Sequence, residues 1–90
     1  MEWKLFADLA ETAGEKRVAV DLGNGATAKD ALEALFEVHP ELRDRVLEDG
    51  AVVSHVNLLV DGEDVRGLDG LDTSLESAEE LALFPPVSGG

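Results

Sequence analysis

Apolar positions change their spacing several times along the chain, and each change marks an element. Glu2-Trp3-Lys4-Leu5-Phe6 alternates and then turns doubly apolar, which predicts a strand. Residues 8–13 predict a helical turn or two, with Asp8 as its cap and Gly14 as its stop. Over 17–22, Val18, Val20 and Leu22 fall on one face, the pattern of a half-buried strand. Gly23-Asn24-Gly25 supplies turn residues that tolerate positive φ. From Thr27 the spacing lengthens. Ala28, Leu32, Leu35 and Phe36 recur at helical intervals, so one face of the main helix is apolar. Thr27 and Asp30 approximate a capping box, and Pro40 stops the helix by pushing the residue before it out of the α region.

A second, short helix is predicted over 40–47, ending before Asp49-Gly50. Residues 55–60 read as a buried strand, and Asp61-Gly62 turns it into a hairpin returning through Glu63, Asp64 and Val65. Residues 67–77 form a polar loop with one turn anchored by Leu71 and Leu75. Residues 80–84 form the last strand, ended by Pro85-Pro86 because proline cannot donate to a ladder. The fold class is therefore α+β: a mixed sheet with one main helix across one face, its first and last strands together in the centre. If Leu81 and Leu83 point inward, Ala82 and Phe84 point to the opposite face of the sheet. Phe84 is then either an aromatic anchor for a partner or a side chain packed under the tail or a loop, and Leu59 extends the same patch.

Composition narrows the class. Ninety residues suffice for one small domain, and 44% hydrophobic residues suit a globular core. With no cysteine, disulfides, thiolate metal sites and cysteine nucleophiles are excluded. No apolar run approaches the ~20 residues of a membrane span, and Met1-Glu2-Trp3-Lys4 lacks the features of a signal peptide. The expected location is the cytoplasm. Twenty acidic residues against seven basic ones give a net charge of −13. Nucleic acid and anionic membrane are excluded as partners, since both need clustered Lys and Arg. The acids are spread along the whole chain. They suit either a basic partner or a very salty cytoplasm, where screening removes self-repulsion, and the spread favours the latter.

Enzyme chemistry finds little to stand on. His39 and His55 have no paired ligand spacing, so no metal site is expected, and Ser54 and His55 point to opposite faces of a strand. His39 belongs at a helix end, where the dipole favours a cation. No glycine-rich phosphate loop follows a strand. The C-terminal end is different. Gly89 and Gly90 have no Cβ, so Val87-Ser88-Gly89-Gly90 can lie extended in a narrow channel and present only its terminal carboxylate. Activated as an acyl-adenylate, that carboxylate becomes an electrophile for an amine or a sulfur donor. Pro85-Pro86 stiffens the exit from the strand and lowers the entropy of the tail. A frayed end is the competing reading. Lys4, Lys16 and Lys29 are candidate acceptors of conjugates, although surface lysine is their default role.

The run 81–90, Leu-Ala-Leu-Phe-Pro-Pro-Val-Ser-Gly-Gly, closely resembles the C-terminus of the MoaD/ThiS sulfur carriers, the group of the molybdopterin synthase small subunits. Lys4-Leu5-Phe6-Ala7-Asp8-Leu9 with Ala13-Gly14, and His55-Val56-Asn57 with the Asp61-Gly62 hairpin, resemble the same family. With the acidic composition, the resemblance is to the small archaeal modifiers of halophiles. It implies a ubiquitin-like β-grasp domain over 1–86 with a flexible diglycine tail over 87–90. It also implies adenylation of Gly90 by an ATP-dependent, E1-like activating enzyme. The adenylate is then converted to a thiocarboxylate or passed to a target lysine as an isopeptide bond. The implied partners are that enzyme, the molybdopterin synthase large subunit, lysine-bearing targets and a deconjugating metalloprotease. Docking is implied through Phe84, Leu59, Pro85 and Pro86. No bound cofactor and no catalytic residue of this chain is implied, ATP being used by the activating enzyme. Family members often carry an arginine in the turn after the first strand, where this chain has Ala10.

Overall fold

The computed structural model of the chain describes residues 1–53 and 56–84. Its centre is the pair of strands farthest apart in sequence. β1 (Glu2–Leu5) and β7 (Glu80–Phe84) run parallel, with Trp3 opposite Leu81 and Leu5 opposite Leu83. All four of those residues are apolar and buried, so slipping the register by one would turn them to the other face. β2 (Arg17–Ala19) extends β1 antiparallel, and β5 (Asn57–Val60) extends β7 antiparallel. β6 (Glu63–Asp64) returns from β5 through Asp61-Gly62, whose φ values of 49° and 87° are those of a tight hairpin turn. The sheet order is β2-β1-β7-β5-β6. It is the mixed sheet expected, with the first and last strands at its centre.

α2 (Ala28–Val38) packs on the inner face and buries Ala28, Ala31, Leu32, Leu35 and Phe36. The capping box is complete: the Thr27 Oγ1 accepts from the Asp30 N–H at 3.4 Å, and the Asp30 carboxylate accepts from the Thr27 N–H at 2.9 Å. Trp3 joins sheet to helix, its indole N–H donating to the Ala31 carbonyl at 3.0 Å. α1 (Ala7–Ala13) adds Leu9 to the same core and stops at Gly14, where φ is 83° and the N–H bonds the Ala10 carbonyl.

Several expectations are corrected. Asp8 does not cap α1. Phe6 is the N-cap, and Asp8 lies in the first turn, paired with Arg45 at 3.5 Å. β2 ends at Ala19 because its ladder with β1 ends opposite Glu2, and Val20 adds one hydrogen bond to the Met1 carbonyl. The helix expected over 40–47 is a 3-10 turn, Pro40–Leu42, followed by α3 (Arg43–Val46). Asp49-Gly50, expected only to end that helix, turns a hairpin between β3 (Leu47–Glu48) and β4 (Ala51–Val52). The loop over 67–77 holds the 3-10 turn Gly70–Asp72, with Leu75 buried and Leu71 half-buried. The strand expected over 55–60 is described from Asn57, and Ser54 and His55 lie outside the described residues.

Among the described residues, no helix is long and apolar enough to cross a membrane. Charge dominates the surface. Arg43 donates to the Glu33 carboxylate at 2.8 Å and lies 4.9 Å over the Phe36 ring. That guanidinium holds the Glu33 carboxyl below its ordinary pKa, chiefly by hydrogen bonding. Among the described residues, pairs such as this leave most of the twenty carboxylates without a basic partner. Screening their repulsion in molar KCl is expected to raise the melting midpoint by about 10 °C over dilute buffer, the equivalent of about 2 kcal/mol. Thermal melts at both salt levels check this, and an unchanged or lower midpoint refutes adaptation to salt.

Candidate partner-binding face and C-terminal tail

The alternation that buries Leu81 and Leu83 completely sends Ala82 and Phe84 to the other side of the sheet. Strand pairing there aligns Arg17, Lys4, Ala82, Leu59 and Asp64 in one row, with Asn57 opposite Phe84 in the next row along β5 and β7. Phe84 is half-buried and stacks on Phe6, the rings within 10° of parallel and their centroids 4.1 Å apart. Phe6 is 37% exposed, so the pair is a surface feature rather than part of the main core. Half-buried Leu59 lies beyond Ala82, as expected from the strand pattern.

Phe6 was not among the residues singled out from the sequence. Its signal is the double apolar ending of the first strand, Leu5-Phe6, where one side chain goes inward and the next must go elsewhere. Arg66 is the second residue missed. Its guanidinium donates to the Asn57 side chain at 3.0 Å and to the carbonyls of Val53 and Val56 at 3.0 and 2.6 Å. It thus fastens the entry into β5 beside Phe84. An exposed arginine after a hairpin carries no sequence mark of such a role. Across the middle of the face, Lys4 Nζ pairs with Glu80 at 3.0 Å, joining β1 to β7.

The candidate acceptor lysines differ in setting. Lys4 lies in β1 within its ion pair, Lys16 is exposed between α1 and β2, and Lys29 is exposed in the first turn of α2. His39 sits at the C-cap of α2, with Nε2 2.7 Å from Glu15 and Nδ1 3.3 Å from Glu41. Among the described residues, no three His, Asp or Glu side chains converge as a ligand set. Pro85, Pro86, Val87, Ser88, Gly89 and Gly90 lie outside the described residues. Chain length alone keeps the Gly90 carboxylate within roughly 21 Å of Phe84.

The sequence matches the ThiS family over residues 3–90. It is 52% identical over 91 aligned positions to small archaeal modifier protein 1 of Haloferax volcanii, covering 100% of both chains. The crystal structure of that protein superposes with a TM-score of 0.88, covering 100% of this chain and 98% of the other. The molybdopterin synthase sulfur carrier subunit of Chlamydomonas reinhardtii is 32% identical over 94% of this chain and 92% of its own. One chain of the Amycolatopsis orientalis BexX/CysO complex is 26% identical, with a TM-score of 0.86 over 99% of this chain and 98% of that one.

Proposed function

We propose that this chain, which belongs to the ThiS family and has the ubiquitin-like β-grasp fold, is a protein modifier and sulfur carrier that reacts through Gly90. An E1-like enzyme joins the Gly90 carboxylate to AMP from ATP, releasing pyrophosphate. A lysine amine of a target then attacks the acyl carbon, AMP leaves, and an isopeptide bond forms. Alternatively hydrosulfide attacks the same acyl carbon, AMP leaves and the S–H proton is lost to solvent, giving a thiocarboxylate. The catalytic groups belong to the partners. This chain contributes a rigid sheet, an aromatic docking face and a carboxylate on a tail without bulk. The cytoplasm, where ATP is at hand, is where this chemistry would run.

The observation that carries this reading is 52% sequence identity with a small archaeal modifier over the full length of both chains, the glycines Gly89 and Gly90 lying within the stretch that also matches the ThiS family. A dedicated molybdopterin synthase subunit without conjugation is supported only by more distant relatives. Activating enzyme and synthase large subunit remain the expected docking partners, lysine-bearing proteins the targets, and a metalloprotease the enzyme that reverses conjugation. Mass spectrometry of the protein from native cells tests the reading. Lysines branched with this chain's C-terminal segment support it. A thiocarboxylate without any branched lysine returns the synthase-subunit reading, and the absence of both refutes the two together.

The docking face gives its own test. Phe84→Ala is expected to weaken binding to the activating enzyme or synthase large subunit by about 1–3 kcal/mol, as for an aromatic anchor. Phe6→Ala should act similarly. The double variant should lose less than the sum, by about 0.5–1.5 kcal/mol, because each ring supports the other. Titrations on variants shown to be folded decide it, and unchanged affinity assigns the pair to packing alone.

A further inference from the structure

The end of β7 is held differently from the rest of the strand. Leu81, Ala82 and Leu83 each face a residue of β1 on one side and of β5 on the other. The register with β1 stops at Leu5 and Leu83, so the ladder partner of Phe84 is Asn57 alone. That rung is the last of the described sheet before the six residues that carry Gly90. Asn57 is also the first residue of β5, so the rung is only as firm as the start of that strand. Arg66 makes it firm. Its Nη1 donates to the Asn57 Oδ1 at 3.0 Å and to Asp64 at 3.5 Å. Its Nη2 donates to the carbonyls of Val56 and Val53 at 2.6 and 3.0 Å. The Arg66 backbone N–H donates to the Asp64 carboxylate at 2.8 Å, which fixes the turn from which the side chain reaches. Both terminal nitrogens are thus occupied by acceptors of this chain, although the side chain is 43% exposed.

From this we infer that Arg66 is a positioning residue for the reaction at Gly90, a role that rests on the activation of Gly90 proposed above. It fixes the Asn57–Phe84 rung and, through it, the direction in which β7 points its end at the activating enzyme. A guanidinium suits this task and an ammonium does not. Its planar fork reaches a side-chain oxygen with one arm and two carbonyls with the other. Three of the four acceptors are uncharged, and hydrogen bonds at contact distance persist in molar salt, where separated charges are screened within about 3 Å. An exposed arginine on an acidic chain otherwise reads as a contact for a partner's carboxylate, but these donors are turned back onto β5. A strand end held in one direction offers the carboxylate correctly in a larger fraction of encounters. Freeing the rung lowers that fraction and raises the apparent dissociation constant in proportion, while a carboxylate already seated reacts as before.

The test is ATP–pyrophosphate exchange by the full-length chain with its cognate activating enzyme, run well below the melting midpoint of each variant. For Arg66→Ala, KM for this chain should rise about tenfold while kcat stays within about twofold. Arg66→Lys keeps the charge without the fork and should recover only a small part of that loss. Asn57→Ala should raise KM as well, and it carries the same test if Arg66→Ala does not fold. Combined with Arg66→Ala it should raise KM no further, because both changes act on one rung. Arg43→Ala, which removes the ion pair with Glu33, should leave KM as it is, so a general loss of stability is told apart. In 15N relaxation, Arg66→Ala should lower backbone order at Asn57 and Phe84 but not at Leu32 and Leu35 of α2. With exchange by the parent intact, an unchanged KM, an equal fall in kcat, full recovery by Arg66→Lys or unaltered order at Phe84 overturns the role of Arg66 alone. A parent chain that supports no exchange refutes the activation of Gly90 and this role together.

Discussion

Removal of Gly89 and Gly90 is expected to abolish both ATP–pyrophosphate exchange with the cognate activating enzyme and transfer to lysine. The deletion keeps a terminal carboxylate but withdraws it by two residues, about 7 Å of extended chain, from the point where ATP is attacked. Appending one residue after Gly90 should be as damaging, because the carboxylate then lies past that point. Gly90→Ala keeps the length and adds one methyl group beside the reacting carboxylate, where glycine leaves the backbone bare, so activation should slow rather than vanish. None of these changes should move the melting midpoint, because every described core residue lies at or before Leu83. Exchange assays beside thermal melts separate loss of chemistry from loss of fold. A truncated chain that still supports exchange, or still appears in conjugates, shows that the C-terminal carboxylate is not the reacting group.

Much of the architecture was legible because its signals are local and agree with one another. The period-two runs at Trp3-Lys4-Leu5 and over Glu80–Phe84 specify faces as well as strands, and their pairing follows once both faces must be buried. Thr27 with Asp30, Asp61-Gly62 and Gly14 each mark one boundary by one mechanism, and each mark holds in the structure. The small hairpin at Asp49-Gly50 was less legible for a physical reason. Two-residue arms are too short to show alternation, so the same dipeptide reads as a helix stop. On the site, the direction of Phe84 followed from strand geometry, but its partner did not. Phe6 caps α1 through its backbone while its ring returns to the sheet, a tertiary contact between residues 78 positions apart. The reach of Arg66 to Val53, Val56 and Asn57 was hidden for the same reason, since charge counted along a chain says nothing of which turns meet.

Trp3→Ala is expected to destabilise the domain by about 3–5 kcal/mol, the range for removing a fully buried large aromatic. Trp3 has no exposed surface, faces Leu81 across the central strand pair and hydrogen-bonds α2 through Ala31. A domain of 90 residues has about 5–13 kcal/mol in total, so this single change removes a large share of it. The melting midpoint should fall by at least about 15 °C. Trp3→Phe should cost only about 1–2 kcal/mol, because most of the apolar volume stays and the Ala31 carbonyl keeps its helical partner. Trp3 is the one tryptophan of the chain, so the melts must follow circular dichroism rather than fluorescence. Below its midpoint the Trp3→Ala protein should still support pyrophosphate exchange in proportion to its folded fraction, since β7 and the six residues after Phe84 are unchanged. That outcome is the mirror of the tail deletion, which keeps the fold and loses the reaction. A Trp3→Ala variant that melts within a few degrees of the parent would show that sheet and helix are held together elsewhere.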